Sequence, residues 1–150
     1  MNKEEFDDIV RKAKEEIDET DIQNILDTID ENHSSFLQNN NLEDIMKTNK
    51  IILEDNNIEN IEEILQKLIN YRLIDEVHEI HKGKNIKYIK NGKLNNGGLV
   101  LDVKFMKNGT HVLCKIHNNF IRQYKYDECI FFQQLSTEEL LILMSNDLIK

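Results

Sequence analysis

Apolar positions in the first half of the chain recur every three or four residues, whereas in the second half they alternate. Phe6, Ile9, Val10, Ala13 and Ile17 form one stripe along an otherwise charged segment, Asn2 to Glu19, which predicts an amphipathic helix. Acids fill its first turn (Glu4, Glu5, Asp7, Asp8), where the helix dipole favours them. Thr20 as N-cap predicts a second helix with the stripe Ile22, Ile25, Leu26 and Ile29, ending in a turn near Asn32–Ser35. A third, short helix is expected from about Asn41 to Thr48, with Leu42, Ile45 and Met46 facing inward. The apolar tetrad Lys50–Leu53 fits no single period. Asn57 as cap predicts the longest helix, carrying Ile58, Ile61, Ile64, Leu65, Leu68, Ile69 and reaching toward Leu73.

Helical periodicity stops near Asp75, and beyond Gly83 the period becomes two. Ile86 and Tyr88 share one face of a strand, Lys87 and Ile89 the other. Asn91-Gly92 and Asn108-Gly109 are tight-turn signals, because both residue types tolerate positive φ; Asn95-Asn96-Gly97-Gly98 marks a further turn or bulge. The clearest strand, Leu99 to Met106, puts Leu99, Leu101, Val103 and Phe105 on an expected core face and Val100, Asp102, Lys104 and Met106 on the other. Strands are also expected at Thr110–His117, Phe120–Tyr126 and Cys129–Gln133, giving about five in all. A bent meander of this size removes its exposed edges by closing on itself, so a small SH3-like or Tudor-like barrel is expected. Ser136 and Glu139 have capping-box spacing ahead of a last helix, Thr137 to about Leu148.

Charge divides the chain at the same place. Residues 1–75 hold 20 acids and 8 bases, and residues 76–150 hold 8 acids and 11 bases, within an overall net charge of −9. Between Lys82 and Lys125 there are ten bases and one acid, Asp102, so the whole-chain charge does not describe what the second half attracts. The absence of proline, the single alanine and the abundance of Asn, Ile and Lys resemble the output of an AT-rich genome, which weakens any reading of Lys as a choice over Arg. The acidic N-terminus MNKEEFDDIV lacks the apolar core of a signal peptide, and no stretch approaches the roughly 18 apolar residues of a membrane span. An intracellular protein with two reduced thiols, Cys114 and Cys129, is expected, with no membrane partner.

Catalytic and metal motifs are weak. The acids of the first half alternate with the apolar stripes, as on a solvated helix face, and residues 1–75 contain no glycine to form a calcium-binding loop. His111-x-x-Cys114-x-x-His117 has the look of a zinc sequence, but strand alternation turns Cys114 away from both histidines, leaving Cys114 as a small hydrophobe and the histidines at the surface. His78 and His81, flanking Glu79, read as residues of the helix-to-strand junction. No phosphate-binding loop, dinucleotide fingerprint or nucleophile elbow occurs. No catalytic residue, metal ligand, cofactor or small-molecule substrate is therefore assigned. The informative feature is the basic run with interleaved aromatics: Lys84, Lys87, Tyr88, Lys90, Lys104, Lys115, Arg122, Tyr124 and Lys125 form the expected binding surface.

The segments EIHKGKNIKYIK, LNNGGLVLDV and FQQLSTEELLIL, spanning roughly residues 79–145, resemble short proteins encoded by large nucleocytoplasmic DNA viruses, with Lys87 where those proteins often carry Arg. The resemblance implies a viral structural or accessory protein of the host cytoplasm or virion, and carries over no catalytic residue.

Together these readings describe an α+β protein: an acidic helical region (1–75), a small basic antiparallel barrel (76–135) and a C-terminal helix packed on it (136–150). The expected function is a non-catalytic interaction module that binds other proteins or itself, with nucleic acid as the alternative partner of the barrel.

Overall fold

A computed structural model describes residues 3–5, 8 and 31–149. Residues 3–5 and 8 are helical. The rest of the first two expected helices, with the stripes from Phe6 to Ile17 and from Ile22 to Ile29, lies outside the described residues.

Four helices and six strands follow: α1 (Glu31–Asn39), α2 (Leu42–Asp55), α3 (Ile61–Lys67), β1 (Tyr71–Leu73), β2 (Asn85–Lys90), β3 (Lys93–Met106), β4 (Gly109–Lys115), β5 (Ile121–Lys125), β6 (Ile130–Gln134) and α4 (Thr137–Ile149). The strands form one antiparallel sheet in the order β1-β6-β2-β3-β4-β5. The α+β class and the antiparallel sheet agree with expectation. Closure does not: β5 pairs only with β4 and β1 only with β6, so the sheet stays open. Aromatic rings of β2, β5 and β6 pack together inside it. Tyr88, Tyr124 and Tyr126 lie 6.2, 6.4 and 5.8 Å from the Phe131 ring. These side chains bury a shared core without any β5–β6 backbone pairing.

The helices depart from their expected bounds for local reasons. Asn41 caps α2 through a reciprocal box with Asp44, and buried Leu42, Ile45, Asn49 and Leu53 carry the helix through the Lys50–Leu53 tetrad to Asp55. Met46 is exposed, not inward. The expected long helix from Asn57 is the seven-residue α3, because Asn57 and Asn60 both take left-handed φ and break the chain first. Tyr71–Leu73, expected at its end, instead pairs with β6. Residues Asn32–Ser35, expected as a turn, lie within α1, where Leu37 is fully buried against α4. Asn146 of α4 donates to the Leu37 and Asn40 carbonyls, satisfying that helix end. The Ser136–Glu139 capping box forms as expected.

Strand β3 carries the main correction. It pairs with β2 over its first half and with β4 over its second, and each ladder is interrupted by a bulge, at Gly97 and at Leu101. The extra residue at Leu101 lets both Val100 and Val103 face the core while Leu101 turns out; Phe105, on the Val103 face, lies beyond the core beside the β3–β4 turn. Phe105 is 76% exposed. Gly98 sits at φ +98, where an added Cβ would lie 2.5 Å from the Lys115 carbonyl oxygen. Gly92, at φ +75 in the β2–β3 turn, has open space around it.

Gly98→Ala should therefore cost roughly 3 kcal/mol, combining backbone strain with a backbone clash, against about 1 kcal/mol of strain alone for Gly92→Ala. Urea denaturation of the two variants tests this; equal midpoints would show that β3 bends without needing that close approach.

Candidate interaction surface

Alternation along β3, β4 and β5 decides which side chains face out. Val100, Val112, Cys114 and Tyr124 are buried in one core cluster. Their sequence neighbours on the opposite face line up by register in three rows: Leu99, Lys115 and Ile121; Asp102, Leu113 and Gln123; Lys104, His111 and Lys125. Lys104, Lys115, Ile121, Gln123 and Lys125 are exposed. At the margins Phe105, Met106 and Phe120 also face solvent, Phe120 and Ile121 at 64% and 63% exposure. On this face Met106 and Ile121 stand among Lys104, Lys115 and Lys125, a mixture of apolar and cationic side chains that suits a docking face.

The expected binding residues divide into two sets. Lys104, Lys115, Arg122 and Lys125 are exposed on β3, β4 and β5. The others are engaged elsewhere. Lys84 pairs with Glu139, and Lys90 and Lys125 both approach Glu128, at 3.2 and 4.0 Å. Lys87 donates to the Lys67 carbonyl and lies over the Tyr71 ring, and its pKa is lowered by burial and then by Lys67. Tyr88 packs against the core, and Tyr124 is buried with its hydroxyl donating to the Gly97 carbonyl at 3.0 Å. Burial, then Tyr88 and Cys114, pushes the Tyr124 phenol up to about 12, so it serves as a neutral donor.

Residues that sequence reasoning left out complete the face. His111, expected at the surface, is buried between Gln123, 2.7 Å from its Nδ1, and Asn108, 3.2 Å from its Nε2. Gln123 also reaches the Met106 sulfur. Ile121 and Met106 carried no signal beyond their apolarity, since their exposure depends on where the sheet ends. Only the Asn118-Asn119 turn, with both residues at positive φ, marked β5 as a separate strand.

Chemistry is sparse. Among the described residues, no three His, Cys, Asp or Glu side chains gather to hold a metal ion. Cys114 is buried and its thiol is pushed up to about 12 by desolvation, which leaves it un-ionised at neutral pH. Burial also raises Cys129. Among the described residues, no helix is long and apolar enough to cross a membrane.

The densest polar cluster lies instead where helices meet sheet. The Glu139 carboxylate, 5% exposed, pairs with Lys84 and lies 2.9 Å from His33 Nε2. The His33 and His81 rings are 5.1 Å apart. Arg72, paired with Glu79, stacks 3.7 Å over the Phe36 ring. Fully buried Gln133 accepts from His81 N–H and donates to the Glu79 carbonyl. A cleft of about 1140 Å³ opens here, lined by His33, Phe36, Arg72, His78, Glu79 and His81. Its charged groups are largely paired with one another, and through these contacts α1 and α4 meet the sheet.

No family model, curated protein or solved structure matches the chain.

The Glu139 site has a pH consequence. Burial alone would raise its carboxyl; hydrogen bonds from His33, Lys84 and the Ser136 N–H outweigh burial and hold it at about 2, below the ordinary 4.5. A depressed carboxyl stabilises the fold fully above the unfolded value and loses that contribution as pH falls through the folded one. Stability on the order of 3 kcal/mol should therefore disappear between about pH 4.5 and 2. Urea unfolding across that window should show this slope in the wild type and a flatter one in Glu139→Gln; an unchanged slope in the variant would place the acid sensitivity elsewhere.

Proposed function

We propose that this protein is a non-catalytic interaction module that docks other proteins on the outer face of β3, β4 and β5. One observation carries the reading: Met106 and Ile121 are exposed on that face together with Lys104, Lys115 and Lys125, on the half of an open sheet that no helix among the described residues covers. Apolar contact supplies affinity there, while the cations orient a complementary partner and speed its approach. The acidic first half is one source of complementary charge, so self-association belongs to the same reading. Kinship with SH3-like or Tudor-like folds is part of this proposal, supported by the strand order β6-β2-β3-β4-β5 and the 3₁₀ turn Tyr126–Glu128 ahead of β6. A viral structural or accessory role rests on the resemblance over residues 79–145.

Nucleic acid is the second reading, favoured by exposed Phe105 and Phe120 beside cations, which suit base stacking and phosphate contact. Against it, Tyr88 and Tyr124 are committed to the core and Lys84, Lys87 and Lys90 to intramolecular contacts.

Fluorescence anisotropy separates the two. Labelled DNA and RNA oligonucleotides should bind weakly at low salt, whereas a polyglutamate peptide should bind and lose affinity in Lys104→Glu with Lys115→Glu. Tight oligonucleotide binding that falls steeply between two salt concentrations would favour the second reading instead. Light scattering that gives one salt-independent monomer mass would remove self-association.

A further inference from the structure

We infer that β5 takes up an acidic, extended segment of a partner protein as an additional antiparallel strand. This rests on the interaction reading above and specifies its partner.

The backbone phase of β5 is set by one hydrogen bond: Ile116 N–H donates to the Phe120 carbonyl at 2.8 Å. Register pairs Cys114 with Arg122 and Val112 with Tyr124, and hydrogen-bonded pairs alternate along an antiparallel ladder. The N–H and C=O groups of Arg122 and Tyr124 therefore turn toward β4. Those of Ile121, Gln123 and Lys125 turn to the open side, where no backbone hydrogen bond from another described residue reaches them. Three consecutive pairing positions are thus presented to solvent by an edge whose residues at those positions are themselves exposed.

An open edge of this kind pairs with any available strand unless something forbids it, and cationic side chains on the edge are one such device. Here Arg122 and Lys125 guard β5. A second copy's β5 would bring like charge against like. A neutral strand would gain backbone pairing but offer neither cation a carboxylate. An acidic strand reverses the sign of both, since carboxylates opposite Lys125 on the outer face and opposite Arg122 on the inner face meet the guards directly. Exposed Phe120 and Ile121 offer apolar contact at the same end of the strand. Asp102 lies 3.4 Å from Lys82, and Glu128, which Lys90 meets at 3.2 Å, gives Lys125 a contact of only 4.0 Å, one that an incoming carboxylate can displace.

The probe is a fluorescein-labelled octapeptide of the repeat Glu-Glu-Val-Val, which as a strand carries carboxylates on both faces, titrated against the full chain by anisotropy. Saturable binding at low salt is expected. Gln123→Pro removes an edge donor that makes no backbone bond to β4, and Gln123→Ala controls for the lost side-chain contact with His111; affinity should fall roughly tenfold in the first relative to the second. Because these variants test the protein side alone, the peptide is also made with N-methyl groups on alternate residues in each of the two phases. One phase should abolish binding and the other leave it nearly intact. Equal binding by both phases, with loss in Arg122→Glu and Lys125→Glu, would overturn strand addition while leaving the face as an interaction surface. Failure of the unmodified peptide to bind at low salt would overturn it as well.

Discussion

Strand β3 can run along two different neighbours only because two consecutive residues lack side chains. At Gly97 an added Cβ would stand 2.8 Å from Ile86 Cγ1, and at Gly98, 2.5 Å from the Lys115 carbonyl oxygen. Those approaches let the strand bend, insert its bulges and hand its pairing from β2 to β4. Val100, between the bulges, is almost wholly buried and stands at the centre of the cluster shared by Ile86, Val112, Cys114, Tyr124 and Phe131. The bend thus creates the core on its concave side. It also leaves the convex side of β3, β4 and β5 facing solvent, with Met106 and Ile121 exposed on it.

The other side of β6 and β2 is covered by helices. Phe132 and Ile89 pack with Leu53, Ile64, Leu68 and Tyr71, and Asn49 donates to the Tyr71 carbonyl, tying α2 to the sheet edge. Glu139 completes the attachment from α4 by meeting Lys84 and His33. A charged group so deeply placed is tolerated because each carboxylate oxygen has a cationic or histidine partner. The two halves of the sheet therefore have different tasks: β1, β6 and β2 are bound to the helical layer, and β3, β4 and β5 project from it.

That division explains why the expected binding residues separate. A basic residue on β2 lies near acidic or carbonyl groups of the helical layer and of the Tyr126–Glu128 turn, and Lys84, Lys87 and Lys90 are absorbed there. A basic residue on β3, β4 or β5 has no such layer above it. In sequence the two sets are indistinguishable, since both alternate with apolar residues in turn-punctuated strands.

Local chemistry determined what the chain by itself could declare: the Ser136–Glu139 cap, the Asn-Gly turns, the alternation of Ile86 and Tyr88 against Lys87 and Ile89, and the concentration of cations after residue 82. Each depends on residues within a few positions of one another, so periodicity and capping reveal it. Tertiary structure decided the rest. The bulge at Leu101 put Val100 into the core in place of Leu99 and Leu101, pairing with β6 drew Tyr71–Leu73 out of the expected helix, and packing on α4 kept residues 31–39 helical. These outcomes depend on free energy gained between segments far apart in the chain, which no local pattern records.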